Sequence, residues 1–137
     1  MPTDKKDQIY ANPLENMVDF RFDEKVADVF PDMIQRSVPG YGSIIQLIGI
    51  LAQEYVQPDS RCYDLGCSLG AASLAMRRNI QHDNCRIVSV DTSEAMIRGF
   101  EKNLTRDDMP TPVELICDDI RNVQIENASM VVLNFTL

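Results

Sequence analysis

The chain has 137 residues, 45% hydrophobic and 25% charged, which is long enough for one domain with a core that needs no disulfide or metal staple. Its net charge of −8 repels phosphate backbones, and a basic pair such as Arg77–Arg78 is too little for a nucleic-acid groove, so the balance points to a small-molecule partner rather than direct nucleic-acid binding. No apolar run approaches the ~18 residues of a membrane span. The four cysteines and single histidine show no metal-ligand spacing, and without a secretory signal the thiols suit a reducing, cytoplasmic setting.

Residues 1–21 show little periodicity and read as a loose tail ahead of a folded unit over 22–137. From Asp23, "DEKVADVF" places Val26, Val29 and Phe30 at helical spacing until Pro31. "PDMIQRSV" restarts a helical turn with proline at its first position. "VPGYGS" reads as a turn or hinge. "SIIQLIGILAQEYV" then sets Ile44, Ile48, Leu51 and Tyr55 on one face, with Ser43 as its cap, and predicts a helix covering one side of a sheet.

Alternation follows. "RCYDL" is a strand and "LGAASLAMRRNI" a helix. "CRIVSVD" is a second strand, and "SEAMIRGFEKNL" a helix capped by Ser93. "VELICDD" is a third strand. "MVVLNF" is a fourth, apolar enough for a central parallel strand. This order predicts an α/β fold with an open, doubly wound parallel sheet. An apolar strand so close to Leu137 wants further cover, so the chain reads as the first part of a larger domain, truncated after its fourth strand.

The turn between first strand and helix, "DLGCSLG", fits three patterns. Gly66-Cys67-Ser68-Leu69-Gly70 matches the G-x-S-x-G elbow that presents a nucleophilic serine. An elbow needs a histidine, and His82 should lie at the far end of the following helix, ~15 Å away. The turn also loosely fits the dinucleotide fingerprint, with Ser68 at the second glycine. Asp64 at its mouth, however, opposes a pyrophosphate. It suits a ligand carrying a sulfonium and an α-amino group, which is S-adenosyl-L-methionine. Asp91, 25 residues after Gly66, ends the second strand, where an acid accepts from ribose hydroxyls. Asp118 or Asp119 can accept from an adenine amino group, and Asn134 falls near the carboxyl end of the fourth strand. Singly, each has a plain alternative as a cap, a solvated acid or a backbone partner. Their placement at successive strand ends favours a nucleotide-like ligand.

"VFPDMIQRSVPGY", "YDLGCSLGAASL", "RRNIQHDNC" and "ENASMVVLNFTL" resemble the bacterial carboxy-S-adenosyl-L-methionine synthase family from about Phe22 to Leu137. The resemblance implies a Rossmann-like fold of the S-adenosylmethionine-dependent methyltransferase type. It implies an enzyme that converts S-adenosyl-L-methionine and prephenate to carboxy-S-adenosyl-L-methionine and phenylpyruvate. A separate tRNA carboxymethyltransferase then uses the product to modify wobble uridine, and family members tend to be homodimers. Carried over by position, the cofactor contacts fall on Tyr41, Gly66, Cys67, Ser68, Asp91, Thr92, Asp119, Ile120 and Asn134. Thr92 stands where several relatives have asparagine. The family's carboxylate-binding arginine lies beyond residue 137, so no catalytic residue is assigned. The rival expectations are a conventional S-adenosylmethionine-dependent methyltransferase, and a non-catalytic module that binds the cofactor or a partner.

Overall fold

The computed structural model describes residues 40–134. The tail over 1–21 and the two helical patterns over 23–38 lie outside the described residues.

Helix α1 spans Tyr41–Tyr55, followed by β1 (Arg61–Leu65), α2 (Ala71–Asn79), β2 (Arg86–Asp91), α3 (Glu94–Thr105), β3 (Val113–Cys117), a short 3-10 turn (Ile120–Asn122) and β4 (Ala128–Val132). The strands form one parallel sheet in the order β3-β2-β1-β4. The expected strand–helix alternation is therefore present, and the ends of β1 and β2 lie side by side.

Side chains alternate across each strand, so β1 and β2 build two different surfaces. Cys62 and Ile87 turn to α1 and α2, where they pack with Ile48, Ala52, Val56, Ala72 and Met76. Tyr63, Leu65, Val88 and Val90 form the other surface, packed with Ile116, Ile120 and Val123. The Tyr63 hydroxyl donates to Glu126 O at 3.1 Å and accepts from Glu126 N–H at 3.0 Å, which ties the segment before β4 across that surface. Gly49 lets α1 approach α2: a Cβ there would sit 2.6 Å from Asn79 Nδ2.

Three local expectations are corrected. "VPGYGS" is not a free hinge, because Tyr41, Gly42 and Ser43 already belong to α1. Ser43 is not the cap; Gly40 is, in the left-handed region at φ 80° and with no side-chain cap bond. Strand β4 begins and ends earlier than the apolar run, and among the described residues it is an edge strand that leaves Val131, and Leu133 just past its end, exposed. Helix α3 matches its sequence signal, with Ser93 Oγ accepting from Met96 N–H at 3.2 Å.

Candidate functional site

The site is built at the carboxyl ends of the strands. As β1 leaves the sheet, Gly66 takes φ 88°, Ser68 φ 52° and Gly70 φ 94°, three left-handed residues on alternate positions. Only glycine adopts this region freely. Ser68 is held there because its N–H donates to Asp91 Oδ2 at 2.9 Å. Gly66 and Cys67 N–H both donate to Val90 O, at 2.7 and 2.8 Å, and Gly70 N–H donates to Cys67 O at 2.9 Å. Amides 66, 67, 68 and 70 are thus committed inside the protein. Those four amides are therefore not available to a ligand.

Asp64 departs from its expected position. It does not stand open at the mouth of the loop; it is 2% exposed and sits beneath it. Strand alternation turns Asp64 to the helix side, where Ser73 Oγ of α2 donates to its Oδ2 at 2.6 Å. Ser73 Oγ also lies 2.7 Å from Ser89 Oγ of β2. Burial pushes the Asp64 carboxyl up to about 6, with the Asp91 charge adding to the rise and the Ser73 bonds opposing it. Its influence on a ligand is therefore that of a charge under the loop floor. Sequence reasoning missed Ser73 and Ser89. The available signal was Ser89 inside the apolar run "RIVSV", since a polar side chain in a buried strand requires a partner.

Two neighbouring groups respond to burial and to the same acids. Burial raises the Tyr41 phenol, and Asp64 raises it further, which brings the first residue of α1 within electrostatic reach of the end of β1. Burial also raises the Cys67 thiol, with Asp64 and then Asp91 reinforcing it, so this cysteine stays protonated and is no nucleophile.

Asp91, half-buried at the end of β2, bridges two elements. Its Oδ2 holds Ser68 N–H, and its Oδ1 accepts from Ser93 N–H at 2.9 Å at the start of α3. The cap-like role and the loop role thus coexist in one carboxylate. Thr92 is exposed beside it, and its carbonyl accepts from Cys117 Sγ at 3.5 Å. Asp118 N–H donates to Asp91 O at 3.1 Å, joining the end of β3 to that of β2.

Asp119 caps the 3-10 turn and is paired with Arg121, whose bonds hold its carboxyl at about 2. Ile120 is half-buried and packs on the Tyr63 surface, so its side chain belongs to the core there. Asn134 is half-buried two residues past Val132, which pairs with Asp64. The structure therefore unites Gly66, Cys67, Ser68 and Asp91 directly and places Thr92 and Asp119 next to them. Tyr41 and Asn134 approach from the β1 and β4 side. Among the described residues, no cluster of three or more His, Cys, Asp or Glu could hold a metal ion.

His82 follows the far end of α2, exposed, while Ser68 precedes its start. A nine-residue helix is ~13 Å long. The only histidine of the sequence is thus out of reach of Ser68, so within residues 1–137 the elbow serine has no histidine base.

A parallel sheet with a left-handed glycine turn after β1 and acids at the ends of β2 and β3 defines a class. The chain belongs to the methyltransferase-domain family, whose profile matches residues 63–136. Among curated relatives, carboxy-S-adenosyl-L-methionine synthase from Geobacter sp. (strain M21) is 64% identical over 136 residues, covering 98% of this chain and 56% of its own length. The synthase of the same name from Salmonella arizonae is 58% identical over 132 residues, covering 96% of this chain and 53% of its own. The chain thus spans about half the length of the curated relatives it matches. Among solved structures, a candidate S-adenosyl-L-methionine-dependent methyltransferase from Methanococcus maripaludis aligns at TM-score 0.62 and 20% identity, over 81% of this chain and 49% of that one. An RNA methyltransferase from Salinibacter ruber, in complex with S-adenosyl-L-homocysteine, aligns at TM-score 0.53 and 23% identity, over 69% and 58%. Both support the fold.

Proposed function

We propose that the loop after β1 and the strand ends around it bind S-adenosyl-L-methionine, and that the protein is a carboxy-S-adenosyl-L-methionine synthase. The observation that carries the binding part is the inward commitment of the loop amides above a buried carboxylate. Such a floor attracts the cationic sulfonium and α-amino end of the ligand and offers nothing to a pyrophosphate. In this reading Asp91 accepts from the ribose hydroxyls, and Asp119 accepts from the adenine amino group. Gly66, Cys67 and Ser68 line the methionyl end, which Tyr41 and Asn134 flank. Thr92 and Ile120 contribute next to the two acids.

The reaction part is supported by the identity to relatives of that name. S-adenosyl-L-methionine loses a proton from its sulfonium methyl group, and the resulting carbanion takes up the carbon dioxide that leaves prephenate. The departing ring hydroxide and the methyl proton together make water, and phenylpyruvate is released. The role of this chain is to orient the sulfonium, exclude water around it and surround it with fixed negative charge. We assign the same protein a homodimeric, cytoplasmic setting. Its product goes to a separate tRNA carboxymethyltransferase, so the acidic chain need not grip RNA or a membrane itself. No helix among the described residues is long and apolar enough to cross a membrane.

The test is incubation of the protein with S-adenosyl-L-methionine and prephenate, followed by mass spectrometry of the nucleoside. A carboxylated product is expected. Methyl transfer to an acceptor with no carboxylated nucleoside would assign the protein to the conventional methyltransferases instead. Failure to bind the nucleoside at all would leave a non-catalytic module.

A further inference from the structure

Asp119 receives more donors than its turn requires. Arg121 N–H reaches Oδ1 at 2.8 Å, Arg121 Nε reaches the same oxygen at 3.0 Å, and Nη2 reaches Oδ2 at 2.8 Å. The 3-10 turn is itself closed by Asn122 N–H donating to Asp119 O at 2.9 Å and Val123 N–H donating to Ile120 O at 3.2 Å. The neighbouring segment is fixed separately, because Asp118 Oδ1 accepts from Asp119 N–H at 2.7 Å and from Asn122 Nδ2 at 3.0 Å. The Arg121 guanidinium is 86% exposed, and an exposed ion pair adds little to stability while costing side-chain entropy. Its bidentate geometry has a more definite consequence. A carboxylate oxygen has two lone-pair directions. Oδ1 is filled by its two donors, and Oδ2 keeps one.

We propose that Arg121 is a positioning residue for recognition of the adenine base: it clamps Asp119 in one rotamer, with a single lone pair on Oδ2 left to accept the exocyclic amino group. The inference rests on the cofactor reading above and deepens it. A hypoxanthine base carries a carbonyl oxygen where adenine carries its amino group. Against a clamped Oδ2 it sets lone pair against lone pair. An unclamped Asp119 could turn away from that repulsion. The guanidinium therefore converts a contact into discrimination, by removing the escape that would accommodate the wrong base.

The experiment is calorimetric titration with S-adenosyl-L-homocysteine and with S-inosyl-L-homocysteine. It uses the wild-type protein, Arg121→Ala, Arg121→Lys, Asp119→Ala and the double variant. The wild type is expected to prefer the adenosyl ligand by about tenfold or more. Arg121→Ala should lose about two- to fivefold in adenosyl affinity with inosyl affinity held, so the preference narrows, and Arg121→Lys should recover part of it. Asp119→Ala should abolish the preference, and adding Arg121→Ala to it should change nothing more. Equal losses for both ligands in Arg121→Ala, or additive effects in the double variant, overturn the inference by reducing Arg121 to a structural role. A wild type that binds the adenosyl ligand with a preference Arg121→Ala leaves intact overturns the inference alone. A wild type that binds no adenosyl ligand overturns the cofactor reading along with it.

Discussion

The buried carboxylate under the loop makes a quantitative prediction about pH. Asp64 is enclosed, bonded to Ser73 and pushed up to about 6 from an ordinary 3.8. The unfolded chain releases this proton near pH 4, whereas the native state holds it until about pH 6. Stability from this group is thus fully present below pH 4 and is lost as pH rises through 6. A shift of about two units at ~1.4 kcal/mol per unit amounts to ~3 kcal/mol. Ionised Asp64 is therefore a destabilising group at neutral pH, and in the proposed reading its charge acts on a cationic ligand.

The perturbation is Asp64→Asn. Urea unfolding followed by circular dichroism, from pH 4 to 7.5, gives the unfolding free energy of each protein. Wild-type stability should fall relative to the variant by ~3 kcal/mol across this range. The depressed carboxyls of Asp118 and Asp119 act in the opposite sense at lower pH, and they cancel in the difference because both proteins carry them. A constant offset reports only how the new amide fits against Ser73. The pH-dependent part reports the carboxylate. Binding should follow the same proton: S-adenosyl-L-methionine affinity drops below about pH 6 in the wild type and stays flat in Asp64→Asn. Parallel stability curves would refute the reasoning, because Asp64 would then titrate as an open surface acid.

Asp91→Ala removes the acceptor for Ser68 and Ser93 N–H together with the proposed ribose contact. Nucleoside binding should weaken by ~1.5–3 kcal/mol with a lower melting temperature, and unchanged affinity by calorimetry would remove Asp91 from the site. Gly70→Ala sets a Cβ into the Phe100 ring at a left-handed φ of 94°. It should cost about 2 kcal/mol or more in thermal or chemical unfolding, and the added change Phe100→Leu should recover only the steric share. Arg77→Ala frees Thr111 O, bound by Nε at 2.8 Å, and Asp107 O, bound by Nη1 at 3.3 Å. Stability should drop by about 2 kcal/mol while nucleoside affinity holds, since this clamp joins α2 to the segment before β3, away from the loop; a matching loss of affinity would contradict that separation.

What the sequence made legible followed strong local rules. Strand β1, the left-handed turn after it and the Ser93 cap each rest on a short pattern with one physical solution. Boundaries that depend on tertiary packing were less readable. Ser43 has the chemistry of a cap, yet α1 starts two residues earlier at Tyr41, half-buried and close enough to Asp64 to feel its charge. The helix starts instead where Ile44 N–H donates to Gly40 O at 2.9 Å, with Gly40 in the left-handed region. Strand β4 shows the same competition: parallel pairing with β1 from Arg61–Ala128 to Asp64–Val132 fixes its ends, not the extent of the apolar run.

Asp64 is the most informative error. Its place two residues before Gly66 suggested an open mouth, but the period of two along β1 gives Asp64 the parity of Cys62, a core residue. The same parity along β2 joins Ile87, Ser89 and Asp91, so a line of polar groups runs from the core outward to the loop. Ser73, on the helix that begins with the loop, closes that line at 2.6 Å from one acid and 2.7 Å from Ser89. Polar groups thereby occupy core positions. Asp91 fixes the loop from the end of β2 while Asp64 lies buried beneath it, and the proposed selection of a cationic ligand by charge rests on that pair of acids.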